Sequence, residues 1–93
     1  MALTVILELP GVTQQQYDQV IDRVSPDRKS PQGQILHVAG PIEGGWCVVD
    51  VWESQEALDQ FLQQKLIQAM QETGMPPPQQ KVIPVYNMIE RAK

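Results

Sequence analysis

Four segments of the chain are predicted as β-strands, the first of them because Leu3, Val5, Leu7 and Leu9 recur with the period of two residues that is typical of a half-buried strand. The segments are residues 3–9, 34–40, 46–53 and 81–89. Pro10-Gly11 ends the first segment, and Gly44-Gly45 supplies a turn between the second and the third. Pro84 lies inside the fourth segment. It indicates an edge strand or a bulge, because proline cannot donate a hydrogen bond to a ladder.

Two further segments repeat hydrophobic residues three or four positions apart, which predicts amphipathic helices. The first helix begins after Thr13, an N-cap residue with Gln16 at the capping-box position, and ends near Val24. The second is capped by Ser54 and ends at Gly74, a residue suited to the left-handed conformation that follows a helix. Its apolar stripe consists of Leu58, Phe61, Leu62, Leu66, Ala69 and Met70.

The order strand, helix, strand, strand, helix, strand predicts an α+β fold of the ferredoxin-like split βαβ type (βαββαβ). Right-handed crossovers then give one four-stranded antiparallel sheet with both helices on one face. A chain of 93 residues is long enough for one core of this kind and for no second one. Residues 1–93 are therefore expected to form a single domain.

The helices cover one side of such a sheet, called here the helix face, and leave the other side, the open face, uncovered. Small aliphatic residues alternate through the third strand and favour its helix face, which leaves the aromatic and acidic positions for the open face. The residues predicted on the helix face are Leu36, Val38, Cys47, Val49 and Val51. The residues predicted on the open face are Thr4, Ile6, Glu8, Ile35, His37, Ala39, Trp46, Val48, Asp50, Trp52, Val82, Tyr86 and Met88.

The turn at residues 42–45 sets the register between the second and third strands. With four residues in that turn, Pro41 lies opposite Trp46 and His37 lies opposite Asp50. His37 and Asp50 are therefore predicted to lie side by side on one face. A turn that is one residue longer or shorter would move the side chains to the other face.

The predicted open face carries too much apolar surface to stay in contact with water. Burial of one large hydrophobic side chain stabilises a protein by roughly 1.5–3 kcal/mol, so a cover is expected. A second copy of the same face is the simplest cover. We therefore expect a homodimer whose two sheets close into an α/β barrel, with His37, Asp50 and the tryptophans inside.

The sequence H-V-A-G-P, followed by G-G-W-C-V-V-D-V-W-E-S-Q-E-A-L-D-Q-F, resembles the dimeric α/β barrel superfamily. The similarity covers nearly the whole chain. It is to the antibiotic-biosynthesis monooxygenase-like domains, and among them to a subgroup of small bacterial proteins of unknown function. Catalytic members bind aromatic polyketides or haem in a cavity between the sheet and the helices. The resemblance implies a cavity in that place and an oxygenase chemistry without a dedicated metal.

The haem-degrading branch of the superfamily has a tryptophan and a histidine on its second helix. This chain has Phe61, Gln64 and Lys65 there, and its single histidine stands on the second strand instead. The resemblance therefore does not extend to haem degradation.

His37 and Asp50 are the candidate catalytic residues. A carboxylate beside an imidazole fixes the tautomer of the ring and leaves one nitrogen as a general acid or base. The same pair is also explained as a buried polar pair that satisfies its own hydrogen bonds. Trp46, Trp52 and Tyr86 are the candidate ligand-binding wall, on which a flat ligand would stack. They are equally explained as residues that fill the barrel or anchor the dimer.

Charge and composition argue against several other classes of function. A net charge of −4 disfavours nucleic acid, which requires clustered lysine and arginine. One histidine and scattered carboxylates predict no metal site, and no cofactor is expected. No apolar run approaches the ~20 residues of a membrane span. Cys47 is the single cysteine, so we expect a cytoplasmic protein without an internal disulfide.

Two hypotheses on function remain open. The chain is a small-molecule-binding protein, with the chemistry of a cofactor-free monooxygenase on a hydrophobic or aromatic compound, or it is a non-catalytic homodimeric structural or interaction module. A binder predicts a cavity of about 300 Å³ or more, lined by His37. A structural module predicts a core without such a space.

Overall fold

Four strands and two helical segments follow one another in the order that the hydrophobic pattern predicts. The computed structural model describes residues 1–76 and 78–91. Its elements are β1 (Leu3–Pro10), α1 (Gln14–Val24), β2 (Gln34–Ile42), β3 (Gly45–Trp52), α2 (Gln55–Phe61), α3 (Ile67–Thr73) and β4 (Gln79–Pro84). A π-helical turn, Leu62–Leu66, joins α2 to α3.

The strands form one antiparallel sheet in the order β2-β3-β1-β4. The two central strands, β1 and β3, pair along their whole length, from Leu3 opposite Trp52 to Pro10 opposite Gly45. Both helical segments contribute side chains to the core cluster that is built on β1. The α+β ferredoxin-like fold, a four-stranded antiparallel sheet with its helices on one face, is therefore confirmed.

Each helical segment begins at the cap that the sequence predicts. Thr13 and Gln16 form the capping box, since the Thr13 hydroxyl accepts from the Gln16 amide at 3.2 Å and the Gln16 side chain accepts from the Thr13 amide at 3.0 Å. The Ser54 hydroxyl accepts from the Ala57 amide at 3.1 Å. Gly74 ends α3 with φ of 70°, the left-handed conformation that glycine adopts without strain.

The fourth strand is shorter than predicted. It ends at Pro84, and beyond it the Val85 amide donates one hydrogen bond to the Ala2 carbonyl at 2.9 Å. Proline has no amide hydrogen to continue the ladder, which explains the end of the strand. Tyr86 and Met88 therefore lie outside the sheet, and the prediction that they stand on its open face is wrong.

The predicted faces of β3 are reversed. Asp50 lies opposite Val5, and Val48 lies opposite Leu7, and directly opposed residues project to the same side of a sheet. Because β1 buries Val5 and Leu7 under the helices, β3 must place its partners there too. The helix face of β3 consists of Trp46, Val48, Asp50 and Trp52. The open face of β3 consists of Cys47, Val49 and Val51.

The same reversal extends to the edge strands. The predicted pairing of His37 with Asp50 is confirmed, and it brings His37 and Ala39 to the helix face. Leu36 and Val38 lie on the open face, where they are 49% and 54% exposed. In β4, Val82 lies opposite Val5 and is on the helix side, not the open side.

The open face remains apolar after this correction, although its residues are aliphatic where tryptophans were predicted. Its exposed and half-buried hydrophobic side chains are Ile6, Leu36, Val38, Val49, Val51 and Ile83. Within the described residues, no helix is both long enough and apolar enough to cross a membrane.

Gly45 marks a close approach between the start of β3 and the end of β1. A Cβ atom at this position would lie 2.4 Å from the Leu9 carbonyl oxygen, a backbone atom held in the central ladder. Gly40, a second strand glycine, has no neighbouring atom within 4 Å of the corresponding position.

We predict that Gly45→Ala lowers the free energy of unfolding by about 1–3 kcal/mol, because neither backbone can move away without breaking ladder hydrogen bonds. Urea denaturation followed by circular dichroism measures the difference. Gly40→Ala is the matched control and should leave the midpoint nearly unchanged. Equal stabilities of the two variants would contradict the close contact.

Candidate functional site

A cavity of about 390 Å³ lies between the sheet and the helices. Its volume is within the range of sites that hold small ligands. Most of its wall is hydrophobic, and its hydrophobic lining residues include Leu7, Leu9, Val20, Ile21, Val24, Ile35, Val48, Phe61, Leu66, Met70 and Met75. Tyr17, His37 and Asp50 also line it and are its candidate chemical groups.

These three side chains form a hydrogen-bonded chain. Asp50 Oδ1 lies 2.6 Å from His37 Nδ1, and His37 Nε2 lies 2.5 Å from the Tyr17 hydroxyl. Cross-strand pairing of β2 with β3 places the first two groups side by side. The third comes from the first turn of α1, where the Tyr17 amide donates to the Thr13 carbonyl at 3.0 Å. The capping box therefore positions the tyrosine above the histidine.

The order of donors along this chain follows from the chemistry of its groups. Asp50 is 6% exposed, and its ionised carboxylate only accepts hydrogen bonds. His37 Nδ1 must then carry the hydrogen and donate it to Asp50, which leaves Nε2 as an acceptor. Nε2 accepts from the Tyr17 hydroxyl. All the polar atoms of the imidazole are satisfied in this arrangement.

Burial raises the pKa of the Tyr17 hydroxyl above its ordinary value of 10.0, and the negative charge of Asp50 raises it further. The ionised phenolate would be poorly solvated here and would face a carboxylate. Tyr17 is therefore a neutral hydroxyl at neutral pH, which agrees with its place as the donor to His37.

The predicted ligand wall lies elsewhere, since none of its three aromatic residues lines the cavity. Trp46 packs behind Tyr17, with ring centroids 5.5 Å apart. Trp52 is 0% exposed and packs against Phe61 at 5.1 Å. Tyr86 is fully exposed beyond the end of β4. Phe61 and Tyr17 supply the aromatic part of the wall instead.

Tyr17 is the member of the site that the sequence pattern did not identify, because it stands in the apolar stripe of α1. A signal was present, however. A tyrosine that is placed on the buried side of an amphipathic helix needs a hydrogen-bond partner for its hydroxyl. His37, the single histidine of the chain, was an available one.

The loop between α1 and β2 closes one end of the cavity with polar residues. Ser25 donates to the Lys29 carbonyl at 2.6 Å, and the Lys29 amide donates to Asp27 at 3.1 Å. Arg28 pairs with Asp22 at 2.6 Å and adopts a left-handed φ of 59°. These local bonds hold the loop in one conformation. In the part of the chain that the structure describes, no three metal-ligating side chains come together.

Solved structures that are similar to the chain include two candidate antibiotic biosynthesis monooxygenases and a cofactor-independent oxygenase. Rv0793 from Mycobacterium tuberculosis gives a TM-score of 0.73 at 13% sequence identity, over 97% of this chain and 100% of its own. A candidate antibiotic biosynthesis monooxygenase from Chloroflexus aurantiacus gives 0.65 at 17% identity, over 95% of this chain and 97% of its own.

SnoaB, a cofactor-independent oxygenase from Streptomyces nogalater, gives a TM-score of 0.65 at 11% identity, over 97% of each chain. No protein-family model matches the sequence, and no curated protein does. Such low identities establish a shared fold, which confirms the resemblance that the strand and helix motifs carry. The chain therefore shares its α+β fold with antibiotic biosynthesis monooxygenase-like proteins.

Proposed function

We propose that this protein binds a small hydrophobic or aromatic compound and acts on it as a cofactor-free oxygenase. The observation that carries the proposal is the His37–Asp50 pair in the wall of an otherwise hydrophobic cavity. A cavity of about 390 Å³ exceeds the space that a filled structural core leaves. It favours a binder over a non-catalytic module.

The pair has the arrangement of a general base and its orienting carboxylate. His37 receives a proton from the bound compound, and Asp50 stabilises the imidazolium that forms. The resulting electron-rich anion reacts with O₂. In the overall reaction a ring CH₂ and one O₂ become a C=O and one H₂O, so that the carbon is oxidised and both oxygen atoms are reduced. The described residues supply the proton acceptor, and the compound itself supplies the electrons.

Similarity to SnoaB supports this reaction class, since that protein is a cofactor-independent oxygenase of the same fold. Fold alone does not define chemistry, because one fold hosts many activities. The proposal therefore depends on the geometry of the site. We place the protein in the cytoplasm, where the lone thiol of Cys47 stays reduced.

A second copy of the chain is the proposed partner. The open face exposes Leu36, Val38 and Ile83 on its edge strands, and Ile6, Val49 and Val51 are half-buried on its central strands. A contiguous apolar surface of this kind is characteristic of an interface. Two open faces packed together would bury these residues and leave each cavity on the outer, helix side of its own sheet.

We predict that His37→Ala lowers the rate of oxygen consumption by about 10²–10⁴-fold, the usual contribution of a general base. Anthrone is the probe substrate, since its enol tautomer carries a hydroxyl and its ring CH₂ becomes the C=O of anthraquinone. An oxygen electrode measures uptake, and absorbance measures the quinone. The same variant should lose about 1–3 kcal/mol of stability, because Asp50 is left buried without its partner.

Gln34→Ala is the control for this experiment, because Gln34 lines the cavity from the same strand without contacting the His37–Asp50 pair. It should retain most of the activity. If His37→Ala is less stable than the native chain and neither of these two proteins consumes oxygen, the non-catalytic module is favoured.

Titration of tyrosine absorbance tests the state of Tyr17. We predict that the component lost in Tyr17→Phe titrates above pH 10.0, the ordinary tyrosine value, because burial and Asp50 oppose ionisation. Since the folded pKa is raised, the contribution of Tyr17 to stability is fully present below 10.0, the ordinary pKa that the unfolded chain has. It is lost as the pH rises through the folded pKa. Tyr86→Phe should leave this component in place, and a midpoint at or below 10.0 would be inconsistent with a buried hydroxyl.

Charge introduced on the open face tests the dimer. Val49 lies in the middle of that face, opposite both Ile6 and Val38. We predict that the native chain sediments as a dimer and that Val49→Lys sediments as a monomer, because two lysines would be buried together. Gln71→Lys adds the same charge on the exposed side of α3 and should remain dimeric. A monomeric native chain would rule out the proposed partner.

A further inference from the structure

Both ring nitrogens of His37 are already engaged, one by Asp50 and the other by Tyr17. A bound compound therefore contacts the Tyr17 hydroxyl and exchanges a proton with His37 only by way of that hydroxyl. We propose that the Tyr17 hydroxyl is the catalytic residue that touches the substrate, and that it passes a proton from a substrate hydroxyl to His37. This inference rests on the proposed function and names the group that the substrate must carry.

Tyr17 has the donor and acceptor capacity that this role requires. A phenolic hydroxyl has one hydrogen and further acceptor lone pairs. The hydrogen is directed to His37 Nε2, at an oxygen–nitrogen distance of 2.5 Å. The lone pairs remain for a hydroxyl that donates from the cavity, which Tyr17 lines. A substrate O–H group therefore completes the hydrogen-bonded chain without displacing any member.

The proton transfer balances within four groups. The substrate O–H bond breaks, and its proton forms a new O–H bond on Tyr17. The original Tyr17 hydrogen moves to His37 Nε2, and the imidazolium keeps donating its Nδ1 hydrogen to Asp50. The substrate gains one negative charge and the imidazole gains one positive charge, and nothing is oxidised in this step. Tyr17 then donates to the new oxyanion.

Packing fixes the tyrosine in the orientation that this transfer needs. Its ring is nearly parallel to the His37 ring, with an interplanar angle of 7°. Trp46 packs against it at a centroid distance of 5.5 Å, and the helix backbone holds its amide. The hydroxyl is therefore positioned before the substrate binds, which removes the entropic cost of orienting it during the reaction.

The chemistry of the acceptor restricts the substrate. Proton transfer to an imidazole is efficient when the donor has a comparable acidity, and phenols and enols meet this condition better than aliphatic alcohols. The hydrophobic wall favours an otherwise apolar compound. Tyr17 and the hydrophobic wall therefore favour an otherwise apolar phenol or enol, with its hydroxyl directed at Tyr17.

The test uses 7-hydroxycoumarin, a flat phenol whose absorption and fluorescence differ between the neutral and the ionised form. The native chain should bind it and lower its apparent pKa. In Tyr17→Phe the ratio of bound phenolate to bound phenol at a given pH should fall by roughly tenfold, or one pKa unit. Affinity for 7-methoxycoumarin, which has no proton to give, should be similar in both proteins.

Two further variants separate the role of the hydroxyl from an effect on folding. Tyr86→Phe removes the exposed hydroxyl and should ionise the probe as the native chain does. His37→Gln keeps Tyr17 but removes the proton acceptor, and the bound probe should stay neutral. Near-ultraviolet circular dichroism confirms that each variant is folded.

The outcomes distinguish this inference from the function on which it rests. If Tyr17→Phe ionises the bound probe as strongly as the native chain, the substrate reaches His37 directly and the role of Tyr17 is refuted. If neither coumarin binds the native chain, the proposed binding function is refuted together with it. Ionisation that depends on both Tyr17 and His37 supports the relay.

Discussion

The antiparallel ladder between β1 and β3 determines which side chains of the sheet face the helices. Leu3, Val5, Leu7 and Leu9 form the buried face of β1, and directly opposed residues share that face. Each residue that β3 places opposite them must therefore face the helices. In this way the ladder puts Asp50, a carboxylate, into the layer between sheet and helices, where an unpaired charge would be strongly destabilising.

The hydrogen-bonded chain of Asp50, His37 and Tyr17 compensates for the burial of that carboxylate. Asp50 needs a hydrogen-bond donor in its buried position, and the β2–β3 register supplies His37 as its cross-strand neighbour. The remaining nitrogen of the imidazole needs a partner too, and α1 supplies Tyr17. The hydrogen bonds that satisfy the buried Asp50 thus join side chains from β3, β2 and α1 in one ordered chain. The hydrogen bonds that satisfy Asp50 are also the ones on which the proposed proton transfer depends.

Hydrophobic periodicity was sufficient to predict the fold. The caps at Thr13 and Ser54 define where the helices begin, and the turn length predicts the pairing of His37 with Asp50 correctly. The choice between the two faces of β3 could not be made in the same way. Both alternating sets contain valines, so hydrophobicity does not separate them. The deciding contact is the pairing with β1, which lies about forty residues away in sequence.

The reversed faces also explain why the predicted ligand wall does not line the cavity. Trp46 and Trp52 were expected to face a partner, but they fill space under the helices instead, one behind Tyr17 and one against Phe61. Tyr86 lies beyond the proline that ends β4. Aromatic residues are bulky enough to serve either face of a sheet. An aromatic residue in a strand is therefore expected to be buried, but its presence does not show whether the helices or a second sheet cover it.

The π-helical turn between α2 and α3 gives the chain a particular tolerance to changes of length. The Ile67 amide donates to the Leu62 carbonyl, five residues earlier, where an α-helix would use four. Loss of one residue from this turn would restore regular helical bonding and leave both caps intact. Leu66 and Met70 would keep nearly the same orientation relative to Phe61, because the π-helical turn completes with five residues about the rotation that an α-helix completes with four. One residue can therefore be lost at this turn without moving the side chains of α3 away from the cavity that they line.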